Sequence, residues 1–341
     1  MSYKIILNDI KQNSLKPIYL CYGVENYLKS VILDKLVEKY IDKAFYDLNY
    51  IHIQEEVKAK DIINACETLP FMSEKKIVVI EDCSVFSSKS SEDTDEDIIN
   101  YIKAPNQSTC LIFYQNVDKV DNRRKIVKLI KKHGTVIELN KINERELYSW
   151  INKEFKEKGK KINLATIEHF VSIISYYDKN LDKSMFDIKN EITKICDYYS
   201  DKINIGRDDV EKVITKSISN NIFKLVDAIG QKNTVGCLEE LNNIIINQEP
   251  IPKIMYMIIR QFRLLAEVKL LTTQGYNSND IAKKMKTHVF IVKKLIVQSR
   301  NFTYQEIKRA LVRCLQTDKD IKTSSKDNRL AVEMLIIDFA S

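Results

Sequence analysis

The chain is short of helix breakers, and it lacks the residue spacings from which metal and catalytic sites are built. Its 341 residues include only 7 Gly and 5 Pro. That scarcity excludes linker-like and low-complexity character and favours a helix-rich fold. No run of about 18 uncharged apolar residues occurs, so no transmembrane helix is expected. The opening segment, Met1 to Asp9, is interrupted by polar residues and lacks a signal-peptide apolar core, which makes a cytoplasmic location the expectation. Seven cysteines (Cys21, Cys66, Cys83, Cys110, Cys196, Cys237 and Cys314) are scattered without a single CxxC pair. Zinc and redox sites need close ligand pairs, so buried reduced thiols are expected instead. The four histidines form no HExxH, and no Gly-x-Ser-x-Gly elbow exists. Neither a metal nor another cofactor is expected.

What the chain does contain is 44% apolar and 30% charged residues, a balance suited to two or three folded domains. Its net charge of +7 is unevenly spread: residues 1–214 carry a net −1 and residues 215–341 a net +8. A basic surface of this kind either attracts phosphates through counterion release or simply stays solvated.

The first 140 residues alternate apolar runs with helical patterns. Pro17–Tyr22, Tyr50–Ile53, Lys76–Ile80, Cys110–Tyr114 and Thr135–Leu139 are rich in Ile, Val, Tyr and Phe, as strands are. Between them, Tyr27–Tyr40, Lys58–Thr68 and Asn122–His133 read as helices. The alternation predicts a mostly parallel sheet covered on both faces. Ser84–Asp97, with its acidic run from Glu92 to Asp97, reads as a solvated loop, since it lacks the glycine and spacing of a calcium loop. From about Asn140 the strands are expected to stop. Residues 141–214 read as a compact helical domain and residues 215–341 as a further helical set. In the last, Met255, Ile258, Phe262 and Leu265 form one apolar stripe.

Strand, glycine and helix at Ile18–Ser30 invite a nucleotide hypothesis, which the residues do not support. A P-loop needs G-x-x-x-x-G-K-[ST], so that backbone N–H groups wrap the phosphates and Lys neutralises them. Gly23 is alone here, Lys29-Ser30 falls inside the expected helix, and Glu25 places a negative charge beside any phosphate. Ile77–Asp82 resembles a Walker B strand ending in two carboxylates, and Asn116 occupies a sensor-like position. Without a phosphate cradle those groups have no magnesium or water to act on, so no intrinsic catalysis is expected.

Leu69-Pro70-Phe71-Met72 follows the second predicted helix and precedes a charged turn. Pro70 is expected to end that helix by removing a backbone donor. The apolar residues then either fold inward as a core cap or stand out as a plug for a partner's groove.

Several blocks, in order, resemble the bacterial DNA polymerase III delta-subunit family, the clamp-loader subunits with a degenerate AAA+ fold. They are Pro17–Leu28, Leu69–Lys76, Thr109–Tyr114, Glu146–Ile151, Asn190–Lys194, Asn221–Ile229, Arg260–Leu265 and Asp320–Thr323. Ser324 departs from the family, which commonly has Gly after Ile-Lys-Thr. The resemblance implies an α/β domain over residues 1–140, a helical lid over 141–214 and a helical collar over 215–341. It implies that Leu69, Pro70, Phe71 and Met72 form the corner that enters a groove of the beta sliding clamp. It implies partnership with the tau/gamma ATPase subunits and delta-prime through the collar, and with primed DNA inside the assembled loader. Lys322 is the candidate nucleic-acid contact.

A rival reading rests on Tyr276–Met285 and Val289–Arg300, whose polar cap, Ile-Ala pair and basic second helix fit a helix-turn-helix DNA-binding regulator. The alternative is two packed collar helices.

Overall fold

The computed structural model describes residues 3–54, 57–86, 92–178, 181, 183–214, 218–323 and 327–340. They form two compact units: residues 1–142 with 184–186, and residues 143–183 with 187–341.

The first unit carries helix α1 (Tyr3–Lys11), strand β1 (Ile18–Tyr22), α2 (Asn26–Tyr40), α3 (Tyr46–Asn49), β2 (Tyr50–Ile53), α4 (Ala59–Glu67), β3 (Lys76–Glu81), α5 (Glu92–Lys103), β4 (Thr109–Gln115), α6 (Lys125–His133) and β5 (Thr135–Glu138). The five strands form one sheet in the order β2-β3-β4-β1-β5, and every pairing is parallel. Parallel strands buried on both faces lose the alternation of apolar and polar residues, because each face packs on helices. Strand β4 is accordingly buried from end to end. On one face Ile18, Leu20, Val78, Ile80, Leu111 and Phe113 pack with apolar residues of α4, α5 and α6.

Local details depart from the sequence expectations for physical reasons. Helix α1 was not legible as an element: only Ile6 and Ile10, four residues apart, are buried in it. It is tied down by the Tyr19 hydroxyl, which donates to Asp9 Oδ2 at 2.7 Å, and by Lys39, which donates to the Ile10 carbonyl. The acidic run Glu92–Asp97 is not loop but the start of α5. Ile98 and Ile102, four residues apart further along the helix, are fully buried. The first residues of the expected loop, Ser84–Phe86, form a 3-10 turn that buries Val85, and residues 87–91 lie outside the described residues. Helix α4 ends at Glu67, before Pro70 is reached, where the Thr68 hydroxyl takes over by donating to the Asn64 carbonyl at 2.8 Å.

The turn from β1 into α2 is set by a close backbone approach. Gly23 has φ +144°, and a Cβ there would lie 2.3 Å from the Leu139 carbonyl group. Its N–H donates to the Gln115 carbonyl at 3.1 Å, and its own carbonyl accepts from the Tyr114 hydroxyl at 2.8 Å.

The second unit is mainly helical: α7 (Glu144–Glu157), α8 (Leu164–Ile174), α9 (Met185–Tyr198, whose first two residues belong to the first unit), α10 (Arg207–Val213), α11 (Ile218–Gly230), α12 (Thr234–Ile246), α13 (Ile251–Thr273), α14 (Ser278–Lys284), α15 (Val289–Ser299), α16 (Tyr304–Thr323) and α17 (Asn328–Ala340). Strands do not stop at Asn140. Two-residue strands β6 (Lys161–Ile162) and β7 (Asn204–Ile205) pair in parallel, a length too short to leave a periodic signal. Asn143, Asn163 and Asn233 cap the helices that follow them by accepting from backbone N–H groups in the first turn. The stripe Met255, Ile258, Phe262, Leu265 is fully buried and joins α11, α12 and α15–α17 in one apolar core.

A polar seam runs beside that core. Arg260 donates to Asp178 at 3.1 Å, and the His288 ring stacks on Tyr177 with centroids 3.8 Å apart. The half-buried Lys294 donates to Ser172 Oγ at 3.0 Å, and its ammonium lies over the Phe223 ring at 4.7 Å. Burial pulls the Lys294 pKa down to about 8 from 10.5.

Two outcomes follow from this packing. Gly23→Ala combines positive-φ strain with a backbone clash, and should cost about 3 kcal/mol in denaturant unfolding. An unchanged midpoint would show that the β1–α2 turn relaxes freely. For Lys294, the depressed folded pKa means that charging it opposes folding below pH 8, and this penalty fades between pH 8 and 10.5. Raising pH from 7 to 9.5 should therefore shift the urea midpoint of the wild type upward relative to Lys294→Met. A gap that stays constant with pH would contradict the enclosed ammonium.

Candidate functional site

In a parallel sheet, loops leaving the C-terminal ends of strands gather at one end, where open α/β folds bind ligands. In the first unit the groups there are occupied by one another. Glu25, 1% exposed, caps α2: its carboxylate accepts from the N–H groups of Tyr27 at 3.3 Å and Met185 at 3.0 Å. A buried carboxylate thus stands where a phosphate cradle would need free N–H donors. Lys29 and Ser30 lie within α2, as the spacing predicted. Lys29 forms an ion pair with Glu81, which also meets His52 Nε2 at 2.5 Å and accepts from Gln54 at 3.3 Å. Burial pushes the Glu81 carboxyl up, but the hydrogen bonds from Lys29 and His52 outweigh it and hold it below the usual carboxylate range. The second carboxylate, Asp82, accepts from the Asn116 backbone N–H at 2.8 Å. Lys29, His52 and Glu81 line an open cleft of about 510 Å³ with Asn26, Ser30, Asp34 and Tyr114. Of its two carboxylates, Glu81 is already neutralised by Lys29. Among the described residues no group of three His, Cys, Asp or Glu side chains is placed to hold a metal. All seven cysteines are buried and none forms a disulfide, and burial pushes the Cys21 and Cys66 thiols up to about 12.

The segment Leu69–Met72 precedes β3, so it lies at the opposite, N-terminal end of the sheet. Leu69 and Met72 are each 73% exposed, Phe71 is 53% exposed, and Pro70 is half-buried. The core-cap alternative is therefore not what the chain adopts. Exposed apolar loops normally collapse inward, and this one is held out by polar bonds to its backbone. Asn49, at the end of α3 and fully buried, accepts from the Phe71 N–H and donates to the Phe71 carbonyl, both at 2.7 Å. Its two amide hydrogens are shared among the Phe71 carbonyl, Ser73 Oγ at 3.0 Å and the Phe45 carbonyl at 3.0 Å. The Phe45 ring meets the Phe71 ring edge-on at 5.2 Å. Between the tethered Phe71 and Ser73, Met72 takes the left-handed conformation, φ +53°. Asn49 was invisible to sequence reasoning. Nothing local marks a lone Asn as the partner of a loop 22 residues on, although its place just before an edge strand is a faint cue.

Other candidates are placed less suggestively. Lys322 lies on α16 and pairs with Asp318 one turn earlier, at 2.7 Å. Ser324 lies outside the described residues. Helices α14 and α15 form consecutively, as the helix-turn-helix reading required, but α15 packs into the helical core through Val292 and Leu295. Its two lysines are engaged: Lys294 with Ser172, and Lys293 with Glu144 at 3.7 Å. A recognition helix must present a polar, charged face to a groove, and the charged residues of this one are limited to Lys293 and the half-buried Lys294. The regulator reading is replaced by that of two packed helices of the bundle.

Comparison with known proteins agrees with this assignment. Two family models match: "DNA polymerase III, delta subunit" over residues 19–140, and "DNA polymerase III delta subunit, C-terminal domain" over residues 219–339. The chain is 28% identical to DNA polymerase III subunit delta of Bacillus subtilis, over 97% of this chain and 95% of the relative. A probable DNA polymerase III subunit delta of Aquifex aeolicus is 25% identical over 67% of this chain and 63% of its own length. Among solved structures, the Bacillus subtilis DNA clamp loader delta protein superposes with a TM-score of 0.70 at 26% identity, covering 99% of both chains. With the family models covering the sheet unit and the helical bundle in their expected order, and one fold match spanning the whole, the chain belongs to the DNA polymerase III delta-subunit family.

Proposed function

We propose that this chain binds the beta sliding clamp and opens it for loading onto primed DNA, and that it hydrolyses no ATP itself. The observation that carries the reading is the exposed apolar loop Leu69-Pro70-Phe71-Met72, held out from the sheet by hydrogen bonds from a buried amide. A few apolar anchors entering a groove supply most of the free energy at such interfaces. The role agrees with the name of the Bacillus subtilis relative, a DNA clamp loader delta protein.

The division of labour follows from the two ends of the sheet. At the N-terminal end the corner supplies the grip. At the C-terminal end Lys29 neutralises Glu81 and Glu25 fills the phosphate position, so ATP chemistry falls to partner subunits. Ring opening needs no chemistry from this chain. A subunit that binds a distorted clamp interface better than a relaxed one shifts the ring toward opening by that difference in affinity. The tau/gamma ATPases would then control when the corner is presented.

Three parts divide this work: the sheet domain over 1–140, a lid over 141–214 and a collar over 215–341. The collar is the assembly surface for the ATPase subunits and delta-prime. Val235 and Ile246 on α12, Leu315 on α16 and Met334 on α17 are each more than 60% exposed, more apolar surface than a solitary bundle needs. Lys322 is the proposed contact to primed DNA within the assembled loader.

Leu69→Ala with Phe71→Ala should weaken binding to the cognate clamp about a hundredfold or more, at about 2 kcal/mol for each anchor before non-additivity. The unfolding midpoint should fall only slightly, because Leu69 is largely in water and Phe71 gives up one edge-on contact with Phe45. Undiminished co-purification of the double variant with the clamp would refute the site. Isothermal titration of the chain alone with magnesium ATP should show no saturable binding at millimolar nucleotide. Micromolar affinity would contradict the occupied phosphate position.

A further inference from the structure

The tether behind the corner has a chemical logic of its own. An Asn side chain carries one acceptor and one two-hydrogen donor, the same pair that a peptide unit offers to a neighbouring strand. Asn49 uses both toward a single residue, accepting from the Phe71 N–H and donating to the Phe71 carbonyl, each at 2.7 Å. The reversed amide would set oxygen against oxygen and N–H against N–H, so this network admits one orientation. A further bond reaches Ser73 Oγ, and Ser73 Oγ also accepts from the Asp42 N–H at 3.4 Å. The tethered residues flank Met72, which holds a left-handed φ that an unbranched residue seldom takes without support. An exposed loop of four residues would otherwise sample many shapes, and ordering it on contact would subtract from affinity.

We infer that Asn49 is a positioning residue: its side-chain amide acts as a surrogate strand neighbour that fixes Leu69, Phe71 and Met72 in their binding shape before any partner arrives. This rests on the reading of the corner as the clamp-binding element. The amide touches no partner itself, and it acts only through the loop backbone. Three features separate it from an ordinary core Asn. Both of its polar functions go to one loop residue, the loop it holds is exposed and apolar, and the residue between its two tethers is the strained one. Ser73 is the secondary tether, and removing its hydroxyl should loosen the loop less.

The test is a double-mutant comparison on the full chain, measured as affinity for the cognate sliding clamp. Asn49→Ala should weaken binding about tenfold, the scale of ordering a few loop side chains. Ser73→Ala should weaken it about threefold. With Phe71→Ala already present, Asn49→Ala should cost less than it does in the wild type, because one of the three anchors it positions is gone. Hydrogen exchange supplies a readout that a general stability loss would not produce: the Phe71 amide should lose protection in Asn49→Ala while the amides of β3 keep theirs. If Phe71→Ala leaves clamp binding intact, the corner reading itself fails. If Phe71→Ala abolishes binding but Asn49→Ala and Ser73→Ala bind like the wild type, the positioning role alone is overturned. Should Asn49→Ala fail to fold, Ser73→Ala decides: a loss of affinity at unchanged stability supports the tether, and no loss overturns it.

Discussion

In an all-parallel sheet, every strand-to-helix loop emerges at one end and every helix-to-strand loop at the other. That constraint separates the two regions of the sheet unit that matter for function. The C-terminal end is where open α/β folds bind ligands, and here Lys29 and His52 both pair with Glu81 while Glu25 accepts from the Tyr27 and Met185 N–H groups. At the N-terminal end, the loop between α4 and β3 carries its apolar side chains into water. The sheet keeps these ends apart, and its central strand β4 is buried along its whole length.

Both ends rely on polar atoms placed where apolar residues alone would not hold the backbone. Gly23 lets β1 turn against the Leu139 backbone, and the Tyr114 hydroxyl secures that turn from below. Asn49 does the corresponding work for the corner. In each case a buried or close-packed polar group finds its full set of partners, which is the condition under which such groups stabilise a fold. The helical unit uses the same economy: Asn caps start its helices, and Arg260, Asp178, Lys294 and Ser172 hold α13 and α15 beside α8 and the segment that follows it.

Much of the fold was legible in the sequence because its signals were local. The five strands fall within a residue or two of their apolar runs, since burial on both faces demands continuous β-branched and aromatic residues. The long helices followed from apolar stripes such as Met255 to Leu265. Elements whose stability comes from elsewhere were missed. Helix α1 buries two side chains, β6 and β7 span two residues each, and the acidic start of α5 resembles solvated loop until Ile98 and Ile102 are seen to be buried. The candidate site was half legible. Four apolar residues before a charged turn stood out, but whether they face in or out depends on Asn49, whose partner lies 22 residues away. The missing glycines of a P-loop were plain, yet the pairing of Lys29 with Glu81 needed the fold to bring α2 beside β3.

The central claim is that a greasy loop at the nucleotide-remote end of the sheet is what meets the clamp. Hydrogen exchange of the full chain with and without the cognate clamp tests it most directly. Protection gained across residues 69–73, with residues 23–30 unchanged, is the result this account predicts. Protection that spares 69–73 and appears at the C-terminal end of the sheet would contradict it.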